Sequence, residues 1–259
     1  MALHVEPLPL LQDNYAYLLV DDVSARAIVV DPSEGAPVIA SLAARGLQLA
    51  AVWCTHHHID HVGGIDALAA AFPGVEVVGS AYDLASERIP RQSRAVQSGD
   101  TLEFADTTFQ VVEVPGHTLG AVAYVGGGHA FTGDTLFLAG CGRLFEGTAA
   151  QMSTSFDRLG ALPVATQLWV GHEYTVKNLE FALHVVPGNA AFAARLDAAR
   201  TLRAEGRASV PGSVEEELAT NPFLRARAPE VIDFARRHGA EGHVPALIFA
   251  AIRSAKDQF

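Results

Sequence analysis

Seven short apolar runs, each closed by turn residues, do most to limit what this chain can fold into. They are "YAYLLV", "AIVVD", "AAVWCT", "VEVVGS", "TFQVVEVPG", "AVAYVGGGHAFTGD" and "QLWVGHE", all within the first two-thirds of the 259 residues. Runs of this length and composition read as strands, several with no polar alternation, as in strands covered on both faces. Between them lie Ala/Leu-rich segments of helical spacing, "APVIASLAARG" and "GGIDALAAAFPG". Strands alternating with helices predict an α/β fold in which helices cover sheets.

Past Tyr174 the pattern changes. "NLEFALHVV", "AAFAARLDAARTLRAEG", "SVEEELATN", "PEVIDFARRHG" and "VPALIFAAIRSAKDQF" carry helical spacing. Ser213 followed by Glu216 has the form of a capping box, and Gly206 and Gly239 stand where helices end. The chain therefore divides into residues 1–174 and a smaller, α-helical part at 175–259. Neither a fixed-period repeat nor a low-complexity linker separates them.

The stretch "CTHHHIDHVGG", Cys54 to Gly64, lies between a strand run and a helical segment. Loops at strand C-terminal ends are where α/β proteins build sites. In an extended segment His56 and His58 project to one side and His57 to the other, while Asp60 and His61 follow as the chain turns. Two imidazoles thus serve one metal, and a carboxylate with an imidazole a second. Nitrogen and oxygen donors suit Zn, Fe(II) or Mn(II), whereas a structural zinc site typically uses thiolates. His117 in "VEVPGHT", Asp134 in "AFTGDT" and His172 in "LWVGHE" each follow an apolar run in the same way. Singly, each reads as a loop or capping residue. Together with the cluster they form a ligand set, with Asp134 the candidate to bridge two cations about 3.5–4 Å apart. Such a pair would lower the pKa of a shared water to near neutrality and polarise a carbonyl. No GxSxG elbow or HExxH helix offers rival machinery.

A formal charge of -11 opposes nucleic-acid and anionic-membrane partners. Two cysteines, Cys54 and Cys141, are too few for a disulfide framework and read as small buried residues in a reducing compartment. No apolar run reaches the ~18 residues of a membrane span, and the first cation is Arg26, so a cytoplasmic protein is expected.

"THHHIDH", "GHT", "GDT" and "GHE", in this order, resemble the metallo-β-lactamase superfamily. "DNYAYLL", "VDPSEG", "FTGDTLFLAGCGRLFEGTAAQM", "GHEYTVKNLEFA", "NPFLR" and "IRSAKDQF" are similar to the glyoxalase II family within it, over nearly the whole chain. The resemblance implies a four-layer αββα sandwich at 1–174 and a helical, glutathione-binding domain at 175–259. It implies two divalent metals, zinc first with iron or manganese as alternatives. His56, His58 and His117 would hold one, Asp60, His61 and His172 the other, with Asp134 across both and Asp60 and Asp134 as catalytic residues. The implied reaction is hydrolysis of S-D-lactoylglutathione to D-lactate and glutathione, in methylglyoxal detoxification, by a monomer acting on a small-molecule thioester. Substrate contacts would fall to Arg143, Phe145, Tyr174, Arg253 and Lys256. Arg253 and Lys256 share a helical face, although cations near a helix C-terminus also suit its dipole. The family usually has Trp at Ile59, and many members have Tyr at Phe145, so one hydroxyl contact is missing here. Asp31 in "VVDP" matches a motif aspartate that supports the metal loop, though an Asp before Pro also suits a plain turn. The rival readings are a glutathione persulfide dioxygenase of the same superfamily, against which the helical C-terminal third with Arg253 and Lys256 speaks, and a non-catalytic metal-binding protein of the same fold, against which the complete ligand set speaks.

Overall fold

A computed structural model describes residues 3–259. By compactness these residues form two units, one running to Glu113 and including Gly120–Gly133, the other comprising Val114–Leu119 and Asp134–Phe259. The composition change near Tyr174 falls inside the second.

In the first unit, six strands form one sheet in chain order: β1 (Leu3–Leu10), β2 (Asn14–Asp21), β3 (Arg26–Val30), β4 (Gln48–Trp53), β5 (Glu76–Ser80) and β6 (Arg94–Val96). The β1–β2 and β2–β3 pairs are antiparallel and β3 to β6 run parallel. Parallel neighbours need crossover connections, and helices α1 (Gly35–Ala44), α2 (Ile59–Val62), α3 (Ile65–Ala71) and α4 (Ala81–Ala85) lie in them. Four antiparallel strands follow, β7 (Thr101–Phe104), β8 (Thr107–Glu113), β9 (Val122–Gly126) and β10 (His129–Gly133).

Side-chain alternation sorts this core. Leu18, Val29 and Val52 join Val38, Leu42, Ile65 and Leu68 of α1 and α3. Their neighbours Tyr17 and Trp53 turn the other way, with Tyr17 5.7 Å from Phe131 and Trp53 5.1 Å from both Phe109 and Tyr124. Both faces of the β2–β4 sheet are thus covered, so all eight residues of β2 are buried and the sequence shows an unbroken apolar run. The single run "AVAYVGGGHAFTGD" resolves into β9 and β10 because Gly127 and Gly128 both take positive φ, as a two-residue hairpin turn requires.

The second unit contains a two-residue ladder of β11 (Leu136–Phe137) and β12 (Gly140–Cys141), helix α5 (Ala149–Gly160), strand β13 (Gln167–Val170), and then α6 (Thr175–Val185), α7 (Ala190–Ala204), β14 (Gly212–Ser213), α8 (Val214–Thr220), α9 (Pro229–Arg237) and α10 (Pro245–Gln258). The predicted Ser213–Glu216 capping box is present, and Gly206 and Gly239 take left-handed φ past the ends of α7 and α9. Helix α5, which the sequence reading does not mark, begins with a second box, Thr148 and Gln151. Its Phe156 packs 5.2 Å from Phe249 of α10 and 6.2 Å from Phe223. Among the described residues no helix is long and apolar enough to cross a membrane. Both cysteines are buried and free, and burial pushes both thiols up.

Candidate metal centre and substrate cleft

The histidine cluster is a loop, Cys54–His58, followed by the single turn of α2. Asp31, just past the end of β3, fixes the loop. It is buried, with φ of +51°, a conformation Asp tolerates better than most residues. Its carboxylate accepts from Thr55 N at 2.7 Å, Thr55 Oγ1 at 2.6 Å and His61 Nδ1 at 3.1 Å. Since Thr55 Oγ1 gives its proton to Asp31, it is left to accept from His56 Nδ1, 3.1 Å away. Carboxylate and hydroxyl therefore hold both imidazoles with the proton on Nδ1 and the lone pair on Nε2, the form in which histidine ligates. Donor atoms of Asp31, His56 and His61 all lie within 4.8 Å of one another. The His56 ring stands 4.2 Å from that of His61 and 4.8 Å from that of His58. Asp60 is anchored through its backbone oxygen, which accepts from Ser33 Oγ at 2.5 Å and Asn14 Nδ2 at 2.9 Å. Its Oδ2 lies 3.8 Å from His61 Nε2. His57 instead lies 3.3 Å from the fully buried Asp83 carboxylate, and Ile59 is 74% exposed.

Gly64 lets the chain enter α3, since a Cβ there would fall 2.6 Å from the backbone of Glu34 and Gly35.

The second unit carries the other three predicted ligands. His117 Nδ1 donates to the Arg143 carbonyl at 2.9 Å, leaving the Nε2 lone pair 3.4 Å from Asp134 Oδ2. His172 Nε2 is 3.3 Å from the same oxygen. The Tyr174 ring stacks on His172 at 4.8 Å and 4°. A lone pair and a carboxylate oxygen at such a distance repel unless a cation, proton or metal, lies against them. The donor chemistry of His117, Asp134 and His172 thus fits a divalent metal, as does that of His56 and His61.

Near His117 a cleft of about 440 Å³ is lined by Arg143, Phe145, Ala149, Ala250, Arg253 and Asp257, among others. Phe145 is 62% exposed, with its ring 5.2 Å from that of His117. Arg253 is buried: its guanidinium donates to Cys141 O at 2.9 Å and to Asp257 Oδ1 at 2.9 Å, with Arg143 Nε 3.9 Å from the same carboxylate oxygen. Of the five predicted substrate residues, Arg143, Phe145 and Arg253 share this cleft, and Tyr174 lies against His172. Lys256 is not among the lining residues. Its ammonium meets the Asn178 carboxamide oxygen and the faces of Phe181 and Phe223, and burial lowers its pKa to about 8. Asp257, the counter-charge to both arginines, stands beside Lys256 in "IRSAKDQF", where no sequence signal marks it.

Residues 11–172 match the model of the metallo-β-lactamase superfamily and residues 173–259 that of the hydroxyacylglutathione hydrolase C-terminus. A protein of Gloeobacter violaceus called Hydroxyacylglutathione hydrolase is 46% identical over 98% of this chain and 99% of its own. This chain belongs to the hydroxyacylglutathione hydrolase family. A second protein of that name, from Ectopseudomonas mendocina, is 46% identical over 99% of this chain and 100% of its own. Among solved structures, that of ETHE1 from Myxococcus xanthus superposes with a TM-score of 0.66 at 26% identity, covering 98% of each chain. The hydroxyacylglutathione hydrolase family is one of hydrolases in the metallo-β-lactamase superfamily. The α/β class and the helical C-terminal region expected from the sequence are both present here.

Proposed function

We propose that the chain hydrolyses S-D-lactoylglutathione to D-lactate and glutathione using two divalent cations. His56, His58 and His117 would hold one, Asp60, His61 and His172 the other, and Asp134 would touch both. The observation that carries the reading is the convergence of the His117 and His172 Nε2 atoms on one oxygen of Asp134, at 3.4 and 3.3 Å, in a chain that matches hydroxyacylglutathione hydrolases end to end. When bound, the cations would supply an activated water and a Lewis acid for the thioester carbonyl. Zinc is the first expectation, and the imidazole and carboxylate donors equally accept iron or manganese.

The chain's own part is to orient and bind. Asp31 and Thr55 fix the tautomers of His61 and His56, and the Arg143 carbonyl fixes that of His117. Arg143 and Arg253 supply charge for the carboxylates of glutathione, and Phe145 an apolar wall. The leaving thiolate, from a thiol of pKa about 8.5, needs no dedicated acid. In this reading residues 1–174 carry the metals and 175–259 bind the peptide, and the protein acts as a cytoplasmic monomer without nucleic-acid or membrane partners.

The test is the initial rate of thioester loss from S-D-lactoylglutathione, with bound metal quantified, before and after chelator stripping. Hydrolysis should vanish on stripping and return with Zn, Fe or Mn. A metal-replete sample that leaves the thioester intact refutes the proposal.

A further inference from the structure

The turn joining β11 to β12, Leu138–Ala139, is buried, with exposures of 1% and 0%, and Ala139 takes φ of +56°. Hairpin turns ordinarily lie at the surface because their backbone groups need water. Here side chains from the helices take that place. Ala139 N donates to Glu217 Oε2 at 2.8 Å, Leu138 O accepts from Asn178 at 2.9 Å, and Phe137 O and Gly140 O accept from Asn221 at 3.3 and 3.0 Å. Glu217 is the hub. It is fully buried, its Oε2 also accepts from Asn221 at 2.8 Å, and its Oε1 from Arg195 at 2.5 Å.

The hairpin links two predicted site residues. Asp134 stands two positions before β11 and Arg143 two positions after β12, and Gly142 N continues the ladder to Thr135 O at 3.2 Å. The strands meet so closely that a Cβ on Gly142 would fall 1.9 Å from Asp134 O. A shift of the turn therefore carries the Asp134 backbone with it.

We infer that Glu217 is a positioning residue for the metal centre: through the Ala139 amide it clamps the hairpin that sets Asp134. The inference rests on the reading of Asp134 as a metal ligand, but its test does not need turnover. Glu217→Met removes the acceptor, whereas Glu217→Gln keeps an oxygen for Ala139 N and Asn221. Two quantities are read on folded protein: hydrogen exchange of amides 136–142, and zinc affinity by competition with a chromophoric chelator. The Met variant should lose protection at 136–142 selectively and bind zinc about 10-fold or more weakly, the usual scale for losing an outer-shell partner. The Gln variant should stay near wild type in both. A folded Met variant with native protection and native zinc affinity overturns the inference. So does a uniform loss of protection across the chain with zinc affinity unchanged, which marks a merely structural residue. Should Glu217→Met fail to fold, Asn221→Ala, which frees Phe137 O and Gly140 O, is read by the same two measurements with the same expected and overturning results. Weak zinc binding by the wild type itself, or zinc binding without hydrolysis, would instead count against the proposed function.

Discussion

Replacing Asp31 by Asn exchanges one oxygen for an NH2 group and should disable His61 without unfolding the loop. Asn tolerates the left-handed backbone at this position, where φ is +51°, so the substitution acts through hydrogen bonding alone. The carboxylate now accepts from Thr55 N through Oδ1, and from Thr55 Oγ1 and His61 Nδ1 through Oδ2. Only one amide orientation survives. The backbone N–H of Thr55 can do nothing but donate, and turning NH2 toward it would orphan a buried donor at a cost of about 1–3 kcal/mol, on the order of tenfold in population. The Asn oxygen therefore stays on Thr55 N and the NH2 group faces His61 Nδ1. Thr55 Oγ1 becomes an acceptor and its own proton turns to His56 Nδ1, 3.1 Å away, and His61 Nδ1 must likewise become an acceptor. Its proton then sits on Nε2, the atom proposed to bind metal. Zinc affinity should fall about 10- to 100-fold, with the shifted tautomer visible in 15N chemical shifts and far-UV circular dichroism unchanged. A folded Asp31→Asn protein that binds zinc as tightly as wild type would refute the argument that Asp31 sets the ligating form of His61.

Three further outcomes are expected. Asp134→Asn should lose metal loading and thioester hydrolysis together; a metal-replete, fully active variant, by atomic absorption and initial rates, would sink the two-cation reading. Phe145→Tyr adds a hydroxyl to the cleft wall, and should lower KM for S-D-lactoylglutathione about 2- to 10-fold, the effect of one net hydrogen bond, leaving kcat unchanged; an unaltered KM would remove Phe145 from the substrate contacts. Lys256 has its pKa lowered from 10.5 to about 8, chiefly by burial. Between those values the unfolded chain binds the proton more tightly, so this group's contribution to stability rises with pH there and is flat below about pH 8. Wild type should therefore gain about 2 kcal/mol relative to Lys256→Met between pH 7 and 9.5, measured by urea unfolding; a constant difference would mean that the ammonium is solvated.

Periodicity made the inner strands visible because burial on both faces removes polar residues from them, as β2 shows along its whole length. The seven candidate ligand positions stand out for a related reason, since the loop from Cys54 and each of His117, Asp134 and His172 come after an apolar run. Other features left weaker traces. β1 contains Pro7 and Pro9, which a central strand would exclude and an edge strand admits. Helix α5 mixes Ser, Thr, Gln and Asp into its turns, and two-residue strands such as β11 and β12 are too short for any period. Spacing places Arg253 and Lys256 on one helical side but does not say what each meets: Arg253 lines the cleft, whereas the Lys256 ammonium turns to the Asn178 carboxamide. Glu217 was hidden by company: in "VEEEL" its neighbours Glu215 and Glu216 are exposed, and nothing in the letters marks the third as the one that is buried.

The packing of α5 bears on how modular such a protein is. Met152, Phe156 and Leu159 are buried, and Phe156 meets Phe223 and Phe249, which lie far along the chain. Although the C-terminal family model begins at residue 173, the helices after it share an interior with residues before it. Grafting that tail onto a shorter member of the superfamily would leave its aromatic face without a counterpart. Recombination between relatives should therefore keep α5 together with the helices that follow residue 173.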